Sequence, residues 1–295
     1  MDTTLLLSIS LAAALCGNVV RKIYTNRSEG GARIFVFSSV GCLVAAVVLI
    51  AWGGIGKISP FTALLGLLFG AVTAMQTVAN MAALSVGPLS YTSVIISCST
   101  LISALSGFFF FGESIGVWEI LGILSMLISF LLAHASYEKE RKGSVAWLLL
   151  CGIAFLATGA IGVMQKLHQS SAFRSELNGF LILAFSVSAF VSGVVAIALR
   201  KRMKGKSSGG FDTRGVLLCL SLMLCSGICC AVNNLLNLHL SGVMDSAVFF
   251  PIVNGGGLLL TTLAAFLIFR ERLTGKQWIG VGFGIASVVL LCVGA

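Results

Sequence analysis

Charged residues are scarce in this chain. Only 10% of its 295 residues are Asp, Glu, Lys or Arg, whereas 58% are hydrophobic. Soluble domains carry roughly 25% charged residues and interrupt their apolar runs with polar side chains. A chain this poor in charge has more apolar side chain than a soluble domain of its length can bury. The composition therefore excludes a soluble protein and indicates a membrane protein.

No stretch of the chain is polar and long enough to form a separate soluble domain. A bilayer core about 30 Å thick needs roughly 20 apolar residues in a helix, and lipid-facing backbone must pair its amides internally. The apolar runs therefore predict an all-α integral membrane protein with ten transmembrane helices. Numbered one to ten, they cover residues 5–20, 34–52, 61–84, 89–111, 117–135, 145–164, 177–199, 216–240, 243–269 and 278–293.

The nine cysteines do not form a disulfide framework, since all of them fall inside the apolar segments. Cys225, Cys229 and Cys230 lie close together on predicted helix eight. Ligation of a soft metal is one interpretation of this group. Close packing of small residues against a neighbouring helix is favoured instead. The sequence therefore predicts no metal site.

The net charge of +9 follows the predicted membrane topology. The basic residues lack the aromatic interleaving of a nucleic-acid groove, so no nucleic-acid partner is expected. Sixteen of the 19 basic residues lie in the loops after helices one, five, seven and nine. The positive-inside rule places those loops in the cytoplasm. We therefore expect a multi-pass protein of the plasma (inner) membrane with both termini extracytoplasmic.

An internal repeat divides the chain into residues 1–143 and residues 144–295, with five predicted helices in each half. An offset of 158 aligns the turn at Glu113 with the turn at Glu271, and Gly122 with Gly280. Because five is odd, the second half must be inserted upside down, so equivalent loops should differ in charge. The loop at Glu113 has no basic residue, whereas its counterpart at Glu271 has three. The sequence thus predicts two inverted five-helix repeats.

Short motifs before the last helix of each half resemble those of the EamA-type drug/metabolite transporters. The motifs are Gly112–Glu113, Arg270–Glu271, and the run Pro-Ile-Val-Asn-Gly-Gly-Gly at residues 251–257. The resemblance covers essentially the whole chain. It implies a fold of two five-helix halves without a cofactor or covalent chemistry. It also implies a solute cavity lined mainly by helices one, three, four, six, eight and nine.

Polar side chains inside predicted helices are the first candidates for a binding site, because they are costly in lipid without a partner or a wet cavity. Helix three carries such residues at spacings of three and seven, which places them on one face. An offset of 157 finds two equivalent amides in helix eight. Substrate binding and interhelical hydrogen bonding are equally open interpretations. The candidates are Thr73, Gln76, Asn80, Asn233 and Asn237, with Asn18 and Asn254 in a second tier.

Charged residues near helix ends form a weaker group of candidates. Glu113 and Glu271 each precede a helix, whose N-terminal dipole favours a carboxylate, so capping is preferred over a gating role. Lys22 and Lys166, which recur at an offset of 144, are expected to extend to the lipid headgroups.

His239 and Asp245 flank the short turn between helices eight and nine. An interfacial position explains both residues and is favoured. A proton-responsive pair that gates or couples transport is the alternative.

The sequence therefore predicts a transporter that moves a small polar or zwitterionic metabolite, such as an amino acid or an amine. Alternating access through a midplane cavity is the expected mechanism. A flippase for a lipid or lipid-linked metabolite on the same fold is the alternative. A membrane-embedded enzyme is disfavoured, because the helices contain no nucleophile with a base and no pair of carboxylates. The expected partners are the solute and membrane lipids, with a homodimer left open.

Overall fold

A computed structural model describes residues 2–27, 31–86, 89–133, 144–202, 213–268, 270 and 273–294. Within these residues the protein is built from helices and contains no strand. The helices are α1 (Thr3–Arg27), α2 (Gly31–Gly53), α3 (Pro60–Val86), α4 (Leu89–Ser97), α5 (Thr100–Phe111), α6 (Val117–Ala133), α7 (Val145–Gln169), α8 (Leu177–Arg202), α9 (Thr213–Leu240), α10 (Ser246–Leu267) and α11 (Gly275–Gly294).

Most of these helices have the length and composition of membrane spans. In the described part of the chain, nine helical stretches are long and apolar enough to cross a bilayer, with α4 and α5 forming one stretch. The tenth, α6, is apolar but has only 17 residues. Large apolar side chains cover the outer surface; Phe110 and Leu217, for example, are 75% and 70% exposed. Such a surface is suited to lipid rather than water, in agreement with the predicted all-α, multi-pass membrane protein.

The fourth predicted helix, residues 89–111, is broken in the structure. It ends as α4 at Ser97 and starts again as α5 at Thr100. Across the break the amide of Leu101 donates to the carbonyl of Cys98 at 3.0 Å, and the amide of Ile102 donates to that of Ser99 at 2.9 Å. These bonds span three residues instead of four, which tightens the chain. Apolar character alone does not reveal such a break, because the run remains hydrophobic throughout.

The chain forms two compact units that interleave the two halves of the sequence. The first unit contains Met1–Ala74 and Ser175–Asn237, and the second contains Met75–Arg174 and Leu238–Ala295. Each unit therefore takes helices from both sides of residue 143. Helices α3 and α9 pass from one unit into the other.

In the first unit, α8 packs against α2 and α3 through small residues. The hydroxyl of Ser39 on α2 donates to the carbonyl of Ala189 on α8 at 2.8 Å. The hydroxyl of Ser188 donates to the carbonyl of Gly70 on α3 at 3.0 Å. Small side chains let the helix backbones approach closely enough for these bonds, which hold helices together where lipid provides no hydrophobic drive.

In the second unit, α6 and α11 pack along their lengths. Three serine hydroxyls connect them by donating to backbone carbonyls of the opposite helix. These bonds run from Ser125 to Phe283 at 2.8 Å, from Ser129 to Gly280 at 2.7 Å, and from Ser287 to Gly122 at 2.7 Å. Residue numbers rise along one helix as they fall along the other, so α6 and α11 are antiparallel.

We expect replacement of Gly280 by Ala to destabilise this helix pair. A Cβ at Gly280 would lie 2.9 Å from the backbone nitrogen of Ala133, so the helices would have to separate. Overpacking of this kind costs about 1–3 kcal/mol. Denaturation of the detergent-solubilised protein measures the loss.

Gly282, on the exposed side of the same helix, provides the matched control, since nothing lies within 4 Å of its built Cβ. G282A should leave the free energy of unfolding unchanged or slightly higher, because Ala is the better helix former. Equal effects of G280A and G282A would contradict the close contact between α6 and α11.

Candidate functional site

Two of the predicted amides, Asn233 and Asn237, form a hydrogen-bonded cluster with Ser10 in the first unit. The Ser10 hydroxyl on α1 lies 2.5 Å from Oδ1 of Asn237 and 2.9 Å from Oδ1 of Asn233. Nδ2 of Asn237 donates to Oδ1 of Asn233 at 3.2 Å. Ser10 is fully buried and Asn237 is 8% exposed. The cluster therefore connects α1 to α9 and matches the interhelical interpretation of these two amides.

One donor group of the cluster has no acceptor among the described residues. A serine hydroxyl has a single proton and can donate to only one of the two amide oxygens at a time. Nδ2 of Asn233 donates to no group among the described residues, and Asn233 is partly exposed. An amide proton at this position is available to a bound solute or to water.

Gln76 and Asn80, on the part of α3 that belongs to the second unit, are both partly exposed. Neither side chain forms a hydrogen bond with any described residue. Thr73 lies in the first unit, and its hydroxyl donates to the carbonyl of Phe69 one turn earlier at 2.8 Å. The amides of Gln76 and Asn80 thus retain their full donor and acceptor capacity.

The second-tier amides differ in their surroundings. Nδ2 of Asn254 on α10 donates to the hydroxyl of Thr100 at 3.1 Å, directly beside the break between α4 and α5. The hydroxyl of Ser99 at the same break is buried without a partner among the described residues. Asn18 on α1 is exposed. Asn254 therefore contacts an interrupted helix, where backbone and hydroxyl groups are concentrated.

A buried ion pair connects Glu113 to Lys166 in the second unit. Oε1 of Glu113 lies 2.5 Å from Nζ of Lys166, and the two side chains are 11% and 8% exposed. Oε2 accepts a hydrogen bond from the backbone amide of Ser246 at 2.7 Å, while Nζ donates to the carbonyl of Met244 at 2.9 Å. The pair therefore joins the end of α5, the last turn of α7 and the first residue of α10.

Local backbone geometry at the end of α5 directs Glu113 into this position. Gly112 has a φ of 69°, a left-handed conformation that glycine adopts without strain, and its amide donates to the carbonyl of Gly107. The amide of Glu113 donates to the same carbonyl at 3.1 Å. Gly107 itself has no space for a side chain, because the Glu113 carboxylate and Ser246 occupy the position of its Cβ.

These contacts change two expectations from the sequence. Glu113 does bind a helix N-terminus, but the helix is α10 rather than the adjacent α6. The prediction for Lys166 is wrong, because its ammonium is buried against Glu113 instead of extending to lipid headgroups. The contacts come from α7 and α10, which follow Glu113 in the chain by many residues, so sequence neighbours could not reveal them.

His239 and Asp245 are both exposed at the turn between α9 and α10. Asp245 is the residue before α10, and its side chain makes no capping hydrogen bond. No ion pair between the two occurs among the described residues. Glu271, the remaining acidic candidate, lies outside the residues that the structure describes.

Sequence reasoning missed Ser10, Thr100 and Lys166 as partners in these clusters. Serine and threonine are frequent in the apolar helices, so their presence carried no information about position. The sequence did mark Lys166 as a repeated position, since a lysine recurs at an offset of 144 from Lys22. The pairing with Glu113 became apparent only when the helices were brought together.

Comparison with known proteins identifies a similar fold. No protein-family model matches the chain. An uncharacterized protein of Haemophilus influenzae is 23% identical over 195 residues, and the chain spans 62% of its length, less than two thirds. One solved protein crystal structure resembles the chain with a TM-score of 0.76 at 13% identity, covering 99% of this chain and 96% of that one. The chain therefore shares its fold with this protein.

We expect Ser10→Ala to lower the free energy of unfolding by about 1 kcal/mol, the usual size of an interhelical hydrogen bond in a membrane protein. Asn80→Ala should have no such effect, because Asn80 has no partner among the described residues. Parallel denaturation series in detergent compare the two variants. Equal stability of S10A and the unmodified protein would contradict the role of the cluster in joining α1 to α9.

Removal of one member of the ion pair should be strongly destabilising. Lys166→Met leaves the Glu113 carboxylate buried without its counterion, which costs about 3–5 kcal/mol. The double variant E113Q/K166M should lose less than the sum of the two single losses, and a double-mutant cycle measures the difference.

Lys57→Met is the control for this cycle, since Lys57 is exposed. It should change stability by less than about 0.5 kcal/mol. Additive losses from E113Q and K166M would refute a direct interaction between the two side chains.

Proposed function

We propose that this protein transports a small polar or zwitterionic metabolite across a membrane by alternating access. The observation that carries the proposal is the pattern of hydrogen bonds between α6 and α11. The resemblance to EamA-type transporters agrees with it. The mechanism requires two inverted halves, residues 1–143 and 144–295. The bonds between α6 and α11 and the turns before these helices support that arrangement.

The bonds between α6 and α11 follow the repeat offset of 158. Ser129 and Ser287 are equivalent at this offset, and so are their acceptors Gly122 and Gly280. The bond from Ser129 to Gly280 therefore becomes the bond from Ser287 to Gly122 when the halves are exchanged. A two-fold axis perpendicular to two equivalent antiparallel helices produces reciprocal contacts of this kind.

The turns before α6 and α11 support the same relation. Gly112 and Arg270, which are equivalent at the offset of 158, have φ values of 69° and 54°. A left-handed backbone is unusual for arginine, because its Cβ crowds the following carbonyl. Its occurrence at the equivalent position suggests that both halves require the same turn, whatever residue occupies it.

Inverted halves supply the physical basis of alternating access. If each half can adopt the conformation of the other, the two conformations can be exchanged between the halves. This exchange converts a protein that is open to one side of the membrane into one that is open to the opposite side. The two states then have similar free energies, and binding of a solute need only bias a small difference. No covalent step is required.

We assign Gln76 and Asn80 to the substrate, because their amides have no hydrogen-bond partner among the described residues. At the offset of 157, Gln76 corresponds to Asn233 and Asn80 to Asn237. At the offset of 144, Ser10 corresponds to Ala154, which is fully buried and has no hydroxyl. The position equivalent to Ser10 therefore carries no hydroxyl group. Amides offer donors and acceptors without charge, which suits a polar or zwitterionic solute.

The function is tested by comparing metabolites in the cytoplasm and medium of cells with and without the protein, followed by uptake of any shifted solute into proteoliposomes. At least one solute should shift only when the protein is present. Asn80→Ala should reduce its transport about tenfold, because the loss of one solute hydrogen bond costs about 1–1.5 kcal/mol.

Asn234→Ala is the matched control, since the Asn234 amide donates to the carbonyl of Cys230 in its own helix at 2.9 Å. Its transport should equal that of the unmodified protein at the same membrane level. If no soluble metabolite moves but a labelled lipid crosses the bilayer, the flippase alternative replaces this proposal. If transport persists unchanged in N80A, the assignment of the amides fails.

A further inference from the structure

Three cysteine side chains from two helices converge in the first unit. The Sγ atoms of Cys16 on α1 and of Cys225 and Cys229 on α9 all lie within 4.8 Å of one another. Cys16 is exposed, and the other two are partly buried. No His, Asp, Glu or further Cys joins them among the described residues. The cluster is a group of sulfur donors alone.

The cluster results from the antiparallel packing of α1 on α9. Ser10 meets Asn237 near one end of this contact, while Val20 and Tyr24 pack with Met223 near the other. Between them, a Cβ built at Gly17 would lie 3.6 Å from the Cβ of Cys229, an ordinary contact distance. The neighbouring Cys16 is therefore held against the same part of α9.

Helical spacing selects the members of the cluster. Cys225 and Cys229 are four residues apart and so lie on the same face of α9. Cys230, which the sequence groups with them, is turned about 100° away from Cys229, and its Sγ lies 3.4 Å from Nδ2 of Asn234. The third cysteine of the cluster is therefore Cys16 rather than Cys230, and it lies more than 200 residues from the other two in the sequence.

We propose that Cys16, Cys225 and Cys229 bind a single Cu(I) ion between α1 and α9. Sulfur donors select soft ions, of which Cu(I) is the common monovalent one. A metal–sulfur bond of about 2.3 Å, the length of a Zn–S bond, sets the sulfurs of a trigonal site about 4.0 Å apart. Side-chain rotation by less than about 1 Å brings the observed Sγ positions to that spacing.

Coordination number distinguishes Cu(I) from Zn(II) at this position. A structural zinc site is tetrahedral and takes four protein ligands, whereas the described residues supply three. Each cysteine that binds as a thiolate releases one proton to the solvent. With two thiolates and one thiol, a Cu(I) site has a net charge of −1, which limits the cost of burial in a membrane.

A bound ion would cross-link α1 to α9 next to the amide cluster. Cys16 lies six residues from Ser10, or about 9 Å along the helix at 1.5 Å per residue. Helices that are joined by both a hydrogen-bonded cluster and a metal move together. Binding of the ion does not require that the protein transport a particular solute.

Anaerobic titration of the reduced, detergent-purified full-length protein with Cu(I), in the presence of the chelator bicinchoninate, tests the site. The protein should retain one Cu(I) per chain at a chelator concentration that strips isolated thiols. Cys229→Ser and Cys16→Ser should each reduce retention to the background level. X-ray absorption of the loaded protein should show three sulfur neighbours at about 2.3 Å.

Cys230→Ser and Cys292→Ser are the controls, since Cys230 is adjacent on α9 and Cys292 is an exposed thiol on α11. Both should still retain one ion per chain. Gel filtration establishes that every variant remains monodisperse, and C225A provides a second variant if a serine prevents folding. Loss of copper to the chelator by the unmodified protein, or retention that is unchanged in C229S, would overturn the proposal.

Discussion

Inside a bilayer no water is present to satisfy polar groups, so each must find its partner within the protein or next to a wet surface. The serine and threonine hydroxyls of the membrane-spanning helices illustrate the rule. Ser129 and Ser287 donate to carbonyls of the opposite helix, whereas Thr158 donates to the carbonyl of Ala154 in its own helix. Because polar groups in a bilayer normally have partners, Gln76 and Asn80 stand out, since their amides bind no other group in the part of the chain that the structure describes.

The same constraint acts more strongly on charges. The Glu113 carboxylate is satisfied by Lys166 and by the first amide of α10, and the Lys166 ammonium by the carbonyl of Met244. Three chain segments meet at this point, and each supplies a group that would otherwise be buried alone. Any movement of α10 relative to α7 must carry the ion pair along or break it. A carboxylate that sequence places at a helix end thus becomes a structural connection between distant helices.

Helices α1 and α9 combine the amide cluster and the thiol cluster along a single contact. Both clusters depend on small residues that let the helices approach, namely Ser10 opposite Asn237 and Gly17 opposite Cys229. Close approach of polar and polarisable side chains is how membrane helices associate when lipid offers no hydrophobic drive. The contact between α1 and α9 therefore also brings together the side chains that form the amide cluster and the thiol cluster.

The sequence by itself determined the class of the protein and the approximate position of its spans, and it predicted two halves related by an offset of 158. These properties are local, since the length of an apolar run and the spacing of a motif can be read without knowing which helices are neighbours. It placed Thr73, Gln76 and Asn80 on one helical face by the same reasoning.

Only the tertiary structure decided which groups are partners. It brought Ser10 to Asn237, Cys16 to Cys229, and Glu113 to α10 rather than α6. It also divided residues 89–111 into two helices, although the run is apolar throughout. The physical reason is that a hydrogen bond or an ion pair requires approach within about 3–4 Å. That distance depends on the packing of helices more than 100 residues apart in the chain, which no local pattern encodes.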